Sequence, residues 1–327
     1  MRTQVPLLAL NLALNLATGA DWTQFRGPNA TGVGGSTELP VRFGPGVNVA
    51  WKIDLPPGHS SPVIAGDRIV LTAGEGGQRS DAGRDKVVDE GGRLYTICLD
   101  RKTGRVVWRK EANRPRLERY QPTNSPASPT PTLDDGSVYV FFGDYGLISY
   151  RLADGAQRWR LPLGPFNNVN GHGSSPIVAG NLVVLLCDQD TDSYLLAVDK
   201  HTGKIAWKVE RPESTRSYST PAILRPARGP AELIVPGAYQ LTSYNAATGE
   251  KLWWIRGLSW QPKSSPVVAG GMIYAHWWEQ GGEAEQPAET PTFDQTLKQF
   301  DSSGDRKITT EEFASEPRMQ RGFSNLD

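Results

Sequence analysis

The sequence predicts an all-β fold made of repeated four-stranded sheets, and three observations support this prediction. Versions of the motif Asp-x-x-Thr-Gly-x-x-x-Trp recur along the chain, and successive motif tryptophans are 51, 48 and 46 residues apart. A Ser-Pro or Thr-Pro pair precedes each unit. The 327 residues include 35 Gly, 25 Pro and 10 Trp, which favours strands joined by turns. Periods of about 40–50 residues with this composition are typical of β-propeller blades.

Residues 1–20 are interpreted as a signal peptide for export. Arg2 supplies a positive charge, residues 5–17 are mostly apolar, and residues 18–20 are small. The alternative is a buried N-terminal helix. The apolar stretch is shorter than the ~20 residues that span a bilayer, and no later segment is apolar enough to be transmembrane. We therefore expect an exported protein, periplasmic or extracellular, in which residues 21–46 form an N-terminal extension.

Residues 47–280 are predicted to form the blades. Within a unit, two apolar runs are joined by a tight turn such as Gly180-Asn181, which is a hairpin signal. A third run leads to the Thr-Gly turn, and the fourth run carries the tryptophan, whose ring should wedge between neighbouring sheets. The start of each unit is marked by Ser61-Pro62, Ser128-Pro129, Ser175-Pro176, Thr220-Pro221 and Ser265-Pro266.

The number of units is smaller than a closed ring requires. Trp51 matches the motif tryptophan of a fourth strand, but no matching first, second and third strands precede it in the sequence. This is what closure of the ring by the N-terminus would require. Four full units follow, and a fifth begins near residue 264. A complete propeller of this kind is expected to have about 7–8 blades. With about five units represented, we expect the sequence to be truncated at its C-terminus.

The third unit carries the motif in full, since residues 197–207 read Ala-x-Asp-x-x-Thr-Gly-x-x-x-Trp. This pattern resembles the blade motif of the pyrroloquinoline-quinone (PQQ) repeat family, and the resemblance covers roughly residues 47–280. It implies a β-propeller, but it leaves the function open. The family includes quinoprotein alcohol and sugar dehydrogenases as well as cofactor-free scaffolds such as the BamB-type outer-membrane assembly protein. Residues 22–29 are similar to the mature N-terminus of secreted proteins of this group.

A polar linker, residues 281–291, leads to a small helical segment, residues 292–327, which resembles an EF-hand. The loop spacing places hard oxygen donors suited to Ca²⁺ at positions 1, 3, 5, 7, 9 and 12, namely Asp301, Ser303, Asp305, the Lys307 carbonyl, Thr309 and Glu312. Position 6, where glycine is expected, is Arg306, which requires a strained backbone or a reshaped loop and predicts weak affinity. A solvated acidic turn is the alternative. Asp327 matches position 1 of a second loop.

The loops that precede the first strand of each unit should cluster on one face of a propeller. They supply a polar set of candidate binding residues suited to an anionic or sugar-like ligand: His59, Asn124, His172, Arg216, Tyr218 and Lys263. The alternative is that these residues share no role. Two histidines without a third ligand are weak grounds for zinc. The run Asp188, Asp190 and Asp192 is predicted to be an exposed acidic hairpin rather than a cation loop.

Composition and missing motifs exclude several function classes. With 35 Lys+Arg and 35 Asp+Glu, there is no basic excess for a nucleic-acid partner. The motifs Gly-x-Ser-x-Gly, His-Glu-x-x-His and Cys-x-x-Cys-His are absent from the sequence. Cys98 and Cys187 fall in different strands of different units, so no disulfide is implied and buried thiols are expected.

The function predicted from the sequence is an exported, non-catalytic scaffold that binds a protein or glycan partner and calcium. The alternative, implied by the family resemblance, is a PQQ-dependent dehydrogenase that oxidises an alcohol or sugar. Against the alternative, the sequence lacks the adjacent cysteines that cap the quinone in alcohol-oxidising members. It also lacks a convincing catalytic Asp with a metal-binding Glu and Asn beside it.

Overall fold

The computed structural model describes residues 21–35, 39–75, 92–114, 120–121, 123–168, 170–277, 293–309 and 311–312. The predicted signal peptide, the linker 281–291 and Asp327 lie outside these residues. In the described part of the chain, strands dominate and the helical residues are confined to two short elements. No helix in this part has the length and apolar character needed to cross a bilayer.

The strands form five antiparallel sheets, each built from strands that are consecutive in the chain. The first blade contains β1 (Val63–Ala65), β2 (Arg68–Glu75), β3 (Arg93–Asp100) and β4 (Val106–Asn113). The second contains β5 (Thr132–Asp134), β6 (Ser137–Phe142), β7 (Gly146–Arg151) and β8 (Gln157–Leu161). The third contains β9 (Ile177–Ala179), β10 (Leu182–Cys187), β11 (Tyr194–Asp199) and β12 (Ile205–Glu210).

The fourth blade contains β13 (Ala222–Leu224), β14 (Glu232–Gly237), β15 (Gln240–Asn245) and β16 (Lys251–Arg256). A fifth sheet has two described strands, β17 (Val267–Ala269) and β18 (Met272–Tyr274). The helix α1 (Phe293–Phe300) and a 3-10 helix (Pro28–Ala30) complete the elements. The all-β propeller architecture with one small helix is the fold class that the repeats predict.

The hydrophobic core lies between neighbouring sheets rather than within one. One buried cluster joins Tyr139 and Phe141 of the second blade to Val183 and Leu185 of the third. The central strands β6 and β10 are buried on both faces for this reason, with β6 buried along its whole length. A single four-stranded sheet could not bury so much apolar surface alone, so each blade depends on its neighbours.

The motif tryptophans dock on the next blade, as the sequence predicts. The indole Nε1 of Trp108 donates to the Leu152 carbonyl at 2.8 Å, and that of Trp159 donates to the Lys200 carbonyl at 3.0 Å. Trp51 makes the same contact with the first blade, donating to the Arg101 carbonyl at 2.9 Å, although residues 51–62 form no strand.

A chain of hydrogen bonds joins the blades where their first strands begin. The Ser61 N–H donates to Thr130 Oγ1, and the Thr130 N–H donates to Ser175 Oγ. The chain continues from Ser175 to Thr220 and from Thr220 to Ser265, each step 45 residues long. The predicted marker Ser128-Pro129 is therefore wrong. Thr130-Pro131 occupies this place in the second blade, because β5 begins directly after Pro131 as β9 begins directly after Pro176.

Part of the N-terminal extension lies along the first strands of the blades. Trp22 forms an antiparallel bridge with Ile64 of β1, and the Thr23 carbonyl accepts a hydrogen bond from the Leu133 N–H of β5. The 3-10 helix that follows contacts β13 and β17. Because these strands line the inside of the array, residues 22–30 tie the first two blades to the last two.

Candidate functional site

Loops from four blades line an open cleft with a volume of about 770 Å³ and many polar side chains. They precede β5, β9, β13 and β17, so they lie on the same face as the starts of the first strands. The described residues that line the cleft are Gln121, Thr123, Asn124, Asn170, Gly173, Arg216, Tyr218, Trp260, Gln261 and Lys263. Four of the six predicted binding residues, Asn124, Arg216, Tyr218 and Lys263, thus come together.

One wall of the cleft is a network of amide side chains and a phenol. Asn124 Nδ2 donates to the Asn170 carbonyl at 2.6 Å, and Gln121 Nε2 donates to Asn170 Oδ1 at 2.8 Å. Asn170 Nδ2 in turn donates to the Tyr218 hydroxyl, which donates to Asn168 Oδ1 at 3.3 Å. Burial raises the pKa of Tyr218 to about 12, so its hydroxyl stays protonated at neutral pH.

A second part of the lining combines a guanidinium with an indole. Arg216 forms an ion pair with Asp190, and its guanidinium carbon lies 5.3 Å from the ring centre of Trp260. The indole Nε1 of Trp260 donates to Thr215 Oγ1 at 2.9 Å, which fixes the orientation of the ring. Burial raises the pKa of Asp190, although Arg216 acts in the opposite direction.

The two predicted histidines are not part of the cleft. His59 is exposed, and its backbone N–H donates to the Ala127 carbonyl. His172 is 7% exposed and packs edge-on against Phe141 and Phe166, with ring centres 5.1 and 4.3 Å apart. His59 stands before the first blade, whereas the cleft is built from the loops before the second to fifth.

Six lining residues are not among the predicted ones, namely Gln121, Thr123, Asn170, Gly173, Trp260 and Gln261. Each of these residues precedes a first strand, as the predicted residues do, so repeat position alone could have included them. Whether such a residue lines the cleft depends on which loops meet across the array. The type of residue does not show which loops meet.

The prediction of an exposed acidic hairpin at 188–192 is wrong for its first two aspartates. Asp188 is fully buried and accepts hydrogen bonds from Arg211 Nε at 2.8 Å and Nη2 at 3.0 Å. Burial by itself would lower the pKa of Arg211, but Asp188 and Tyr244 raise it. Asp190 pairs with Arg216, and only Asp192 is exposed. Two arginines that follow in the chain, Arg211 and Arg216, thus pair with two of the three aspartates.

The predicted EF-hand loop follows α1 directly. The Asp301 carboxylate accepts hydrogen bonds from the Gly304 N–H at 2.7 Å and the Arg306 N–H at 2.9 Å. Arg306 has φ of 62°, the left-handed conformation expected at position 6. The Glu312 carboxylate folds back on the loop and accepts from the N–H groups of Ser302 and Thr309, both at 2.9 Å.

The donor chemistry of this loop fits a hard cation, since carboxylate, hydroxyl and carbonyl oxygens occupy the predicted positions. Its carboxylates are turned toward backbone N–H groups. Among the described residues, no three His, Cys, Asp or Glu side chains are grouped as a metal site.

The described lining of the cleft supplies amide oxygens but no carboxylate for a metal ion bound beside a quinone. Hard cations are bound by carboxylates together with backbone and amide carbonyl oxygens. The described lining residues include no Asp or Glu. Asp190, the acidic residue behind the wall, is already paired with Arg216.

Several solved structures of other proteins are similar to this chain. BamB from Moraxella catarrhalis is 14% identical, with a TM-score of 0.43 over 70% of this chain and 61% of that chain. A europium-containing methanol dehydrogenase is 13% identical, with a TM-score of 0.50 over 75% of this chain and 50% of that chain. Quinohemoprotein alcohol dehydrogenase from Comamonas testosteroni is 13% identical, with a TM-score of 0.46 over 67% of this chain and 39% of that chain.

The chain spans between 39% and 61% of the length of these three structures. At 13% identity, the likeness to the methanol dehydrogenase shows the fold alone. No curated protein matches the sequence. The model of the family described as outer membrane protein assembly factor BamB matches residues 47–183, 90–228 and 191–284. These matches cover most of the chain, which therefore belongs to this family of PQQ-type β-propeller repeats.

Proposed function

We propose that the protein is an exported, non-catalytic β-propeller scaffold that binds a protein or glycan partner through its loop face. The observation that carries this proposal is the cleft, whose lining consists mostly of hydrogen-bonding and aromatic groups suited to recognition. Of the described residues that line it, none is His, Asp, Glu, Cys or Ser. Thr, Lys and Tyr side chains can also take part in catalysis, but a phenol acts as a base or nucleophile only when it is activated, and burial raises the pKa of Tyr218 instead.

Export is the second part of the proposal, and it is supported by the charge and composition of residues 1–20. Expression of the full chain in a bacterium and mass spectrometry of the periplasmic and extracellular fractions would test it. We expect a mature N-terminus at Asp21. Retention of intact residues 1–20 in the cytoplasm would contradict export.

The quinoprotein alternative is tested by titrating the purified protein with PQQ and Ca²⁺ in a calorimeter and by assaying alcohol and sugar oxidation with an artificial electron acceptor. We expect no stoichiometric quinone binding and no turnover. Quinone binding at one per chain, accompanied by alcohol or sugar oxidation, would overturn the scaffold proposal.

Calcium binding at the EF-hand loop is the third part of the proposal. The test compares calcium titrations of the unmodified protein with those of Glu312→Gln and Arg306→Gly. Glu312→Gln should abolish binding, because a neutral amide replaces the predicted bidentate ligand. Arg306→Gly should strengthen it about fivefold or more, because glycine adopts positive φ without the ~1–2 kcal/mol penalty of other residues. Equal calcium affinity in all three proteins would contradict the assignment.

A further inference from the structure

The cleft contains an almost buried amide side chain that makes no hydrogen bond to any described residue, and this group indicates what the cleft binds. We propose that the cleft binds an uncharged oligosaccharide, whose ring hydroxyls pair with the amide of Gln261 and the guanidinium of Arg216. The inference rests on the proposed binding function and adds the class of ligand to it.

Gln261 is the lining residue with an unsatisfied polar group. It is only 8% exposed, yet its side-chain amide forms no hydrogen bond within the described part of the chain. Its backbone is fixed with φ of 52°, and the next residue is held by a bond of 3.0 Å from the Tyr218 N–H to the Pro262 carbonyl. An amide withdrawn from water without a partner is unfavourable, so a ligand group that both donates and accepts would satisfy it.

Arg216 offers further donors. A guanidinium carries N–H groups on all its nitrogens, and the ion pair with Asp190 is made through Nε. The side chain also acts on the Tyr218 hydroxyl, but this oxygen already accepts from Asn170 and cannot take all the N–H groups of the two Nη nitrogens. Because Asp190 balances the charge of Arg216, the remaining donors suit a neutral acceptor such as a hydroxyl.

Both side chains are planar groups with paired polar atoms. An amide places a donor beside an acceptor, and the outer edge of a guanidinium places two donors side by side. Neighbouring hydroxyls on a sugar ring have a fixed spacing, and each can donate and accept, so one planar group can bind two of them at once. Gln121 and Asn170 add two amides that are already ordered by their mutual hydrogen bond at 2.8 Å, and ordered groups lose little entropy when a ligand binds.

The composition of the lining favours a sugar over a peptide. Protein partners are anchored mainly by apolar side chains in hydrophobic pockets. The described residues of the lining include no Ala, Val, Leu, Ile, Met, Pro or Phe, and its aromatic rings are those of Tyr218 and Trp260. Amides combined with aromatic rings match a sugar, which has hydroxyls at the edge of its ring and C–H groups on its faces. The volume of about 770 Å³ lies within the range of roughly 300–1,000 Å³ for ligand sites.

The experiment measures binding of four neutral tetrasaccharides to the full chain by calorimetry, namely cellotetraose, maltotetraose, mannotetraose and xylotetraose. Each is compared with the same compound after periodate oxidation and borohydride reduction, which open the sugar rings and leave the compound uncharged. We expect at least one intact tetrasaccharide to bind, and its open-ring form to bind about tenfold or more weakly, because the hydroxyls have lost their fixed spacing. Equal binding of the intact and open-ring forms would overturn the inference.

Two variants locate the binding. Gln261→Met keeps the length of the side chain but removes the amide, and Arg216→Lys keeps the charge beside Asp190 but removes the fork of donors. Each should weaken binding of the intact tetrasaccharide about fivefold or more. Arg151→Lys is the matched control, because Arg151 forms an exposed ion pair with Asp154 at the end of β7, and it should leave binding unchanged. Undiminished binding by both cleft variants would contradict the proposal.

Urea denaturation separates a binding role of Gln261 from a structural one. Because its amide makes no hydrogen bond within the described residues, Gln261→Met should unfold at the same urea concentration as the unmodified protein. A lower midpoint in urea together with unchanged sugar binding would show that Gln261 supports the fold, and the ligand assignment would then be wrong.

The outcomes distinguish this inference from the proposed function. If no tetrasaccharide binds, the ligand class is wrong, and the scaffold function stands when a protein partner is captured by the unmodified protein and less well by Arg216→Lys. If PQQ binds and an alcohol or sugar is oxidised, the scaffold function itself fails.

Discussion

Trp51 lies so close to Gly104 that a Cβ atom on the glycine would sit 2.5 Å from the indole ring. The same relationship joins the motif tryptophan of each of the first three blades to the turn glycine of the next, in the pairs Trp108–Gly155, Trp159–Gly203 and Trp207–Gly249. Trp51 therefore packs on the first blade in the way that the fourth-strand tryptophan of one blade packs on the next blade. The Thr-Gly turn requires glycine for two reasons, its positive φ and the absence of a side chain against the ring.

Substitution of a turn glycine separates these two reasons. Gly203 has φ of +70°, and a Cβ there would lie 2.6 Å from Trp159. We expect Gly203→Ala to lower the free energy of unfolding by about 2–4 kcal/mol, from left-handed strain plus overpacking. Gly180→Ala is the matched control, since Gly180 has φ of +63° and nothing within 4 Å. For Gly180→Ala, the free energy of unfolding should fall by only ~1–2 kcal/mol. Equal losses for the two variants in urea denaturation would contradict the role of Gly203 in packing against Trp159.

The buried ion pair of Asp188 and Arg211 should be highly sensitive to loss of one partner. Both side chains are 0% exposed, and Arg211 also bonds the Tyr244 hydroxyl at 2.5 Å. Asp188→Asn would leave the guanidinium charge uncompensated, so we expect a loss of about 3–5 kcal/mol in the free energy of unfolding.

Asp192→Asn is the control for this substitution. Asp192 is exposed in the same loop, and its φ of 55° is a conformation that asparagine tolerates well. The change should stay within about 0.5 kcal/mol. Similar losses for both variants in guanidinium denaturation would show that the buried pair has no special role.

The Glu312 carboxyl should remain ionised in strongly acidic solution. Hydrogen bonds from the backbone N–H of Thr309 and then Ser303 lower its pKa from 4.5 to about 2. Because the folded-state pKa is the lower one, the stabilisation of the loop by this group is complete above pH ~4.5. It is lost as the pH falls toward 2.

Carbon-13 NMR of the carboxyl group measures this titration, with Glu312→Gln used to assign the signal. The midpoint should lie near 2 in the folded protein and near 4.5 in urea. A folded midpoint that matches the urea value would show that the loop does not hold the carboxylate.

The two cysteines should be unreactive in the folded protein. Both are buried thiols that form no disulfide, and burial raises the pKa of Cys98 to about 12. A thiol-specific reagent needs an accessible thiolate. We expect no reaction in buffer and two reactive thiols in non-reducing guanidinium chloride. Fewer than two thiols after denaturation would indicate a disulfide or oxidation.

The repeated elements could be predicted because their signals are local. The Thr-Gly turns, the hairpins and the tryptophans depend on residues within one unit, and a hairpin turn such as Gly180-Asn181 is set by backbone preference. One boundary was assigned wrongly, since Ser128-Pro129 and Thr130-Pro131 are both possible markers in the sequence. The hydrogen bond from Ser61 to Thr130 decides between them, and its partners are 69 residues apart.

The candidate site could be predicted only in part. Repeat position selects the loops, and Asn124, Arg216, Tyr218 and Lys263 come together as that position suggests. His172 occupies an equivalent position, but its ring turns into the core against Phe166 because apolar contacts there bury it. Burial also explains why Asp188 is an ion-pair partner rather than part of an exposed acidic turn.

The sequence by itself determined the blade, its four strands, its turns and its tryptophan, because those features depend on hydrophobic periodicity and backbone preference over fewer than about 50 residues. Only the tertiary structure decided which side chains meet between different blades. Three features depend on packing between segments far apart in the chain: the meeting of Asn124 with Trp260 in one cleft, the pairing of Arg216 with Asp190, and the course of residues 22–30 along the first strands. Such contacts leave no periodic signal, since they are set by how whole sheets fit together.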